Sequence, residues 1–227
     1  MKIIVTCGPS YEPIDQARRM TNFSTGKLGV TLANFLTQAG HEVFCLKGDG
    51  STFNGPVRTP WVETFATNDD LAGHLESLSR LENFDAVFHA AALCDYRVDH
   101  VLSGAGETIS SPKFATRDGR LHLVLAPAMK VLPKMRGWFP EARIAGWKYE
   151  LAGTLDDAFT KAWKQLYDCR TDACVLNGAA YGEGFAVCHA DGRVHPCFDM
   201  PALCEWLLDW MLLSVSAPTD SETLTRA

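Results

Sequence analysis

No apolar run in this 227-residue chain approaches the roughly 20 residues that span a bilayer. The stretch Lys2-Ile3-Ile4-Val5-Thr6-Cys7 is too short for a secretory leader and runs straight into Gly8-Pro9. A cytoplasmic protein with no membrane partner is therefore expected. Basic residues are not in excess: 21 Lys and Arg face 27 Asp and Glu, a net charge of −6. Without a basic stripe, nucleic acid is not an expected partner. None of the eight cysteines forms a C-x-x-C pair. The densest group, Cys188, His189, His195 and Cys197, lacks the tight pairs of a zinc site. Scattered cysteines in apolar strands read as small core hydrophobes, and no metal-ligating residue is assigned. Neither a Walker G-x-x-x-x-G-K-[ST] loop nor a G-x-G-x-x-G fingerprint occurs. The second strand ends in Lys47-Gly48-Asp49, with no acid placed for a ribose, so a nicotinamide-dependent oxidoreductase ranks last.

What is present is an alternation of short apolar runs with helical periodicity. Residues 2–7 read as a buried strand, 8–26 as a long polar loop, and Lys27 to Gln38 as a helix with Leu28, Leu32 and Leu36 at helical spacing, ended by Gly40. Strands follow at 42–47 and 61–65, separated by a Gly/Pro/Ser/Thr-rich loop over 48–60. Asn68 is expected to cap a helix with Asp69 and Asp70 in its first turn. A strand over 85–92, another at 142–147, a helix over 154–168 and a strand at 172–177 continue the pattern. Asp118-Gly119, between KFATR and RLHLVL, and Asp191-Gly192, between FAVCHA and RVHPC, predict two β-hairpins. A last helix spans 200–214, and a polar tail begins at about 215. The order predicts one α/β domain over residues 1–227. It is Rossmann-like and doubly wound, with a mostly parallel sheet, helices on both faces and added hairpins.

In such sheets, ligands bind beyond the carboxyl ends of the strands. Three loops there carry suitable residues, the third being Ser110-Ser111-Pro112-Lys113 just before a hairpin. The first contains Gly8, Pro9 and Ser10, then Arg18, Asn22, Ser24, Thr25, Gly26 and Lys27. It is far longer than the roughly two to six residues usual for a strand-to-helix turn, and small residues before a helix let an anion approach its N–H groups. The second is Ala90-Ala91-Ala92-Leu93-Cys94-Asp95-Tyr96-Arg97, where small residues allow close approach and Asp95 accepts hydrogen bonds. For the alanines alone, tight helix–sheet packing is the better reading. Lys113, on a lone polar stretch, has no role by spacing alone.

Thr6-Cys7-Gly8-Pro9-Ser10-Tyr11-Glu12-Pro13-Ile14-Asp15-Gln16-Ala17-Arg18, followed by Met20-Thr21-Asn22-Phe23-Ser24-Thr25-Gly26-Lys27-Leu28-Gly29, resembles the opening of the phosphopantothenoylcysteine synthetase (phosphopantothenate–cysteine ligase) family. Ala91-Ala92-Leu93-Cys94-Asp95-Tyr96, Ala145-Gly146-Trp147-Lys148-Tyr149-Glu150 and Asp172-Ala173-Cys174-Val175-Leu176-Asn177 extend the resemblance along nearly the whole chain. It implies a ligase of coenzyme A biosynthesis that joins 4′-phosphopantothenate to cysteine through an acyl-nucleotidyl intermediate. CTP or ATP would be co-substrate, with Mg²⁺ on the triphosphate. It also implies catalytic roles for Asn22, which would hold the acyl intermediate, and for Lys113, which would stabilise charge. Gly8, Pro9, Ser10, Arg18, Ser24, Thr25, Gly26, Lys27, Ala91, Ala92, Asp95, Gly146 and Trp147 would bind nucleotide and substrate. A homodimer and a ligase without a fused flavin-binding domain are expected.

The chain departs from the family at several positions. The later lysines of the family's K-I-K-K segment are absent after Lys113, Ala126 and Ala128 replace polar residues, and Trp147 replaces a phenylalanine. The segment from Asp95 to Lys113 is also longer than usual, with Gly104 and Gly106 in the added loop. The nucleotide side is thus less well kept than the phosphopantothenate side. A diverged relative with another carboxylate or amine, and a non-catalytic binder of nucleotide or pantothenate derivatives, remain as alternatives.

Overall fold

The protein is described by a computed structural model covering residues 1–213; the tail expected from about 215 lies outside the described residues. Lys2–Cys7 (β1) occupies the middle of an eight-stranded sheet, because KIIVTC is apolar on both pleat faces. Glu42–Gly48 (β4) and Trp61–Phe65 (β5) lie parallel on one side of it, Ala86–His89 (β6), Arg143–Tyr149 (β10) and Ala173–Gly178 (β11) on the other. The spatial order β5-β4-β1-β6-β10-β11 reverses direction between β1 and β6, the arrangement of a doubly wound nucleotide-binding sheet. Gly182–His189 (β12) and Val194–Cys197 (β13) extend it antiparallel as the hairpin expected at Asp191-Gly192.

Side chains leave β1 alternately toward two layers. Ile3, Val5 and Cys7 meet the helices Lys27–Gln38 (α1) and Met200–Leu212 (α5). Ile4 faces Asn68–Leu81 (α2) and Leu132–Trp138 (α3). Leu155–Cys169 (α4) covers the outer strands through Ala158, Ala162 and Leu166. Ile3 and Ile4 are fully buried, and each contributes about 1.5–3 kcal/mol by leaving water. All eight cysteines are reduced and buried.

Three expectations need correction. Residues 8–26 are not all loop: Tyr11–Pro13 (β2) and Arg19–Thr21 (β3) form a small hairpin. Its turn is closed by the Asp15 carboxylate, which accepts from Ala17 N at 2.9 Å and Arg18 N at 2.8 Å and pairs with the Arg18 guanidinium. That set of partners holds the Asp15 carboxyl well below the usual carboxylate range. Asn68 does not cap α2. Thr67 does, accepting from Asp70 N, while Asn68 is buried one position later.

The hairpin expected at Asp118-Gly119 does not form. Thr116–Asp118 is a single 3₁₀ turn, and Leu121–Pro127 (β9) pairs instead with Tyr96–Ser103 (β7). KFATR has no strand partner because Phe114 is buried and its backbone is tied to the β2–β3 turn. Arg18 Nη2 donates to Phe114 O at 2.9 Å, and Phe114 N donates to Asp15 at 3.2 Å. The segment 98–112 is therefore ordered: with Thr108–Ile109 (β8) it builds a three-stranded sheet in the order β8-β7-β9. Helix α3 has no counterpart in the sequence reading, since seven residues are too few to display a period.

Candidate active site

Beyond the carboxyl ends of β1 and β6, the two loops zip together. Ala92 N donates to Gly8 O at 2.9 Å and Ser10 N to Ala92 O at 3.2 Å, continuing the parallel pairing past the sheet. Asn22 stands on this seam. Its Nδ2 donates to Ala92 O at 3.1 Å and to Leu93 O at 3.0 Å. The reverse amide orientation would press Oδ1 against two carbonyl oxygens. The network thus fixes the side chain with both N–H groups engaged and Oδ1 free of partners among the described residues. Asn22 therefore offers an acceptor, suited to an N–H or O–H of a substrate rather than to an oxyanion.

On the α1 side of the seam, Gly8 and Gly26 both adopt positive φ, +79° and +81°. A Cβ on Gly26 would lie 2.8 Å from Ser51 Oγ and 3.3 Å from Gly8 Cα. The start of α1 is thereby held against the end of β1, with Thr25 Oγ1 accepting from Lys27 N at 3.2 Å. Pro9 bridges to Ala92 on the seam, and Lys27 opens α1. Ser51, absent from the expected set, presses between the glycines with its hydroxyl buried and unpartnered.

Two expected residues serve the frame instead. Ser10 is fully buried; its hydroxyl donates to Asn68 Oδ1 at 2.7 Å and accepts from Cys94 N at 2.8 Å. Asn68 in turn donates to Cys94 O and Met129 O. This buried network joins three loops and leaves Ser10 nothing for a ligand. Arg18 is occupied by Asp15 and Phe114 O, so it ties the segment after Lys113 to the hairpin that leads to Asn22.

On the other side of the seam lies a cavity of about 430 Å³ between the strand ends, α3 and α4. Of the expected residues, Ala91, Asp95 and Trp147 line it. Trp147 also packs toward the α1–α5 layer, where its Nε1 is buried without a partner. Gly146 does not line it: a Cβ there would come within 2.9 Å of both Gln165 Nε2 and Leu132 Cδ2, so its bareness lets α3 and α4 close on the sheet. Lys113 is exposed and is not part of the lining. Ala128 is buried, its N–H donating to Asp95 O at 2.9 Å.

The positive charge expected after Lys113 comes from elsewhere. Lys130, Lys148, Lys161 and Lys164 line the cavity against two aspartates, Asp95 and Asp168. Lys130 pairs with Asp95, and Lys164 with Asp168 at 2.8 Å. Lys148 and Lys161 meet Glu150 at 3.1 and 2.5 Å. Burial pushes the Glu150 carboxyl up, but the two ammonium groups outweigh it and the net shift is downward. Lys148 falls inside the Ala145–Glu150 segment, but Lys130, Lys161 and Lys164 stand in no motif with a readable spacing, because α4 and the loop before α3 converge only in the folded chain. A wider depression of about 1240 Å³ lies on the other flank of α4, around Tyr167, Arg170 and Gly192. It sits at the amino end of β11 and holds none of the expected residues, so the smaller cavity is the candidate site.

A profile described as the DNA/pantothenate metabolism flavoprotein C-terminal domain matches residues 1–194. The coenzyme A biosynthesis bifunctional protein CoaBC of Thermococcus kodakarensis is 28% identical over 176 residues, 78% of this chain and 41% of that protein. The chain spans less than half the length of this and the corresponding Mycolicibacterium smegmatis relative. Among solved structures, a DNA/pantothenate metabolism flavoprotein from Streptococcus pneumoniae aligns with a TM-score of 0.80 and 22% identity, covering 93% of this chain and 98% of that one. A mutant of Cab2 in complex with phosphopantothenate-cysteine aligns at 0.70 and 18%, covering 92% and 84%. At these identities, the structural likenesses show a shared fold.

Proposed function

The chain belongs to the DNA/pantothenate metabolism flavoprotein C-terminal domain family, and from that premise we propose that it works as a phosphopantothenate–cysteine ligase of coenzyme A biosynthesis. The observation that carries this is the place of Asn22, on the seam between the glycine-built start of α1 and a cavity walled by four lysines. An acyl substrate held at the seam brings its carboxylate to a nucleotide seated in the cavity. The carboxylate oxygen attacks the α-phosphorus and pyrophosphate leaves. The cysteine amine then attacks the acyl carbon, the nucleoside monophosphate leaves, and the amide forms with loss of one proton from nitrogen. No protein nucleophile is needed; positioning and charge stabilisation carry the rate.

Asn22 Oδ1 would accept from an N–H or O–H of the acyl substrate. Gly8, Pro9, Ser24, Thr25, Gly26 and Lys27 would form the phosphate-approach surface, while Ala91, Ala92 and Trp147 flank the nucleotide. Asp95, paired with Lys130, would open to the ligand when the lysine turns to phosphate. Lys113 would act only if its segment swings toward the cavity. Magnesium on the triphosphate would neutralise charge there. Among the described residues no three side chains make a metal cage, which fits an ion held mainly by phosphate oxygens and water, with Asp95 or Asp168 beside it.

A homodimer is supported by β9, an edge strand with Leu123 and Leu125 exposed on one face; sedimentation of the native chain as a monomer would overturn it. No helix among the described residues is long and apolar enough to cross a membrane, and eight reduced cysteines suit the cytoplasm.

Pyrophosphate release with 4′-phosphopantothenate, cysteine and Mg²⁺, compared between CTP and ATP, tests the reading. Release that depends on phosphopantothenate is expected. A folded sample that releases none with either nucleotide would count against catalysis and leave a binding protein.

A further inference from the structure

His89 ends β6 on the floor of the 430 Å³ cavity, only 6% exposed, and the chemistry above gives it no part. Its register neighbours are Thr6 on β1 and Gly146 on β10. Thr6 Oγ1 lies 2.7 Å from His89 Nδ1 and accepts from Ala91 N at 3.4 Å. With a backbone N–H already pointing at the oxygen, the buried hydroxyl proton has one acceptor among the described residues, His89 Nδ1. Nδ1 is therefore bare, and the neutral ring carries its proton on Nε2. Nε2 has no hydrogen-bond partner among the described residues, yet it is not among the buried unpartnered atoms. It opens on the cavity.

The cavity is graded from floor to rim. Like His89, Val131, Leu132, Leu93 and Met129 are buried or half-buried in the lining, and of its lysines only Lys148, at 33% exposed, is comparably withdrawn. The charged groups stand outward: Lys130 and Lys161 are 58% and 46% exposed, Lys164 72%. An apolar floor with one donor suits a nucleobase or ribose, and a lysine rim suits phosphate.

We propose that His89 reads the nucleoside half of the nucleotide, donating its Nε2–H to an acceptor atom of the base or sugar. The proposal rests on the ligase reading in needing a nucleotide in this cavity. It assigns a specificity residue that no motif in the chain marks.

Titration calorimetry with CTP, ATP and inorganic triphosphate on wild type, His89→Gln and His89→Phe tests it. Gln keeps a donor near Nε2, and Phe keeps only the volume. The preferred nucleotide is expected to bind about tenfold more weakly to His89→Phe and within about threefold of wild type to His89→Gln. Triphosphate binding is expected to be unchanged in both. If nucleotide binding is unaltered in His89→Phe, or triphosphate binding falls equally, His89 does not read the nucleoside. Wild type that binds neither nucleotide sinks the ligase reading and this proposal together. Should His89→Phe not fold, long-range ¹⁵N–¹H spectra of wild type decide. A proton on Nε2 and a shift of that nitrogen on adding nucleotide are expected. A proton on Nδ1, or no shift at saturation with either nucleotide, overturns the assignment.

Discussion

On the α1 side of the seam, Gly8 and Gly26 approach backbone to backbone with the Ser51 side chain pressed against both, and no charged side chain is among these contacts. On the α4 side, lysines from the loop before α3, from β10 and from α4 meet carboxylates across open space. The first surface is shaped before any ligand arrives. The second is charged but self-neutralised, and must exchange protein carboxylates for phosphate when it binds. A rigid surface beside an exchangeable cavity suits the proposed ligase, which would fix an acyl group, admit a triphosphate and expel pyrophosphate. A variant on the seam breaks both sides; each of the others breaks one and should leave the other standing.

Asn22 joins the two sides, so its loss has the largest expected effect. Asn22→Ala is expected to lower the rate of pyrophosphate release about 10²-fold, the scale for misplacing a reacting group by an ångström. Asn22→Asp, although nearly isosteric, is expected to be no better, because an oxygen would face Ala92 O and Leu93 O at the distances now bridged by N–H. Near-normal release by Asn22→Asp would show that the amide does not pin the seam.

The second effect falls on the cavity floor. Burial pushes the His89 imidazole down to about 4, with no charged neighbour contributing. The folded state therefore refuses a proton that the unfolded chain accepts below its ordinary value near 6.5. Stability from this residue is complete above about 6.5 and is lost as pH falls toward 4, by roughly 3 kcal/mol across the window. Urea unfolding between pH 4 and 7 should show this slope in wild type and a flatter one in His89→Gln. Equal slopes would mean that water reaches the ring and relieves its burial.

Third comes the rigid side. Gly26→Ala places a Cβ at φ +81° and against Ser51. It should cost about 1–3 kcal/mol in chemical denaturation, without changing the KM for nucleotide in the fraction that remains folded. A changed nucleotide KM would show that the two sides are not independent.

The same contrast explains what was legible in the chain. Gly8, Asn22 and Gly26 lie within one short stretch, so a linear pattern carries them, although the partners of Asn22, Ala92 and Leu93, lie 70 and 71 positions away. Ser10 was legible as a small residue near a strand end. Its burial depends on Asn68 and Cys94, which are 58 and 84 positions away, and no local pattern reports that. KFATR read as a strand because its alternation and the Asp-Gly turn fit one. The contacts of Phe114 with Asp15 and Arg18, nearly a hundred positions apart in sequence, outweighed that local preference. The lysine rim was illegible for the same reason: Lys130, Lys148 and Lys161 become neighbours only through the right-handed crossovers that bring α3 and α4 over the same strand ends.

The smallest expected effect tests whether that rim replaces the lysines missing after Lys113. Lys161 is the sharpest probe, since it shares the buried Glu150 with Lys148. Removing its ammonium takes one charge-assisted contact from a bound triphosphate, worth about 1.5 kcal/mol, or roughly a tenfold rise in nucleotide KM. Lys148 still neutralises Glu150, so the fold should tolerate Lys161→Met. KM for phosphopantothenate should not move, because the acyl group is held across the seam. A rise confined to nucleotide KM, and absent in Tyr167→Ala on the far flank of α4, would assign phosphate binding to this helix face. An unchanged nucleotide KM would mean that Lys161 serves Glu150 alone and that the charge facing the triphosphate is carried by Lys130 and Lys164.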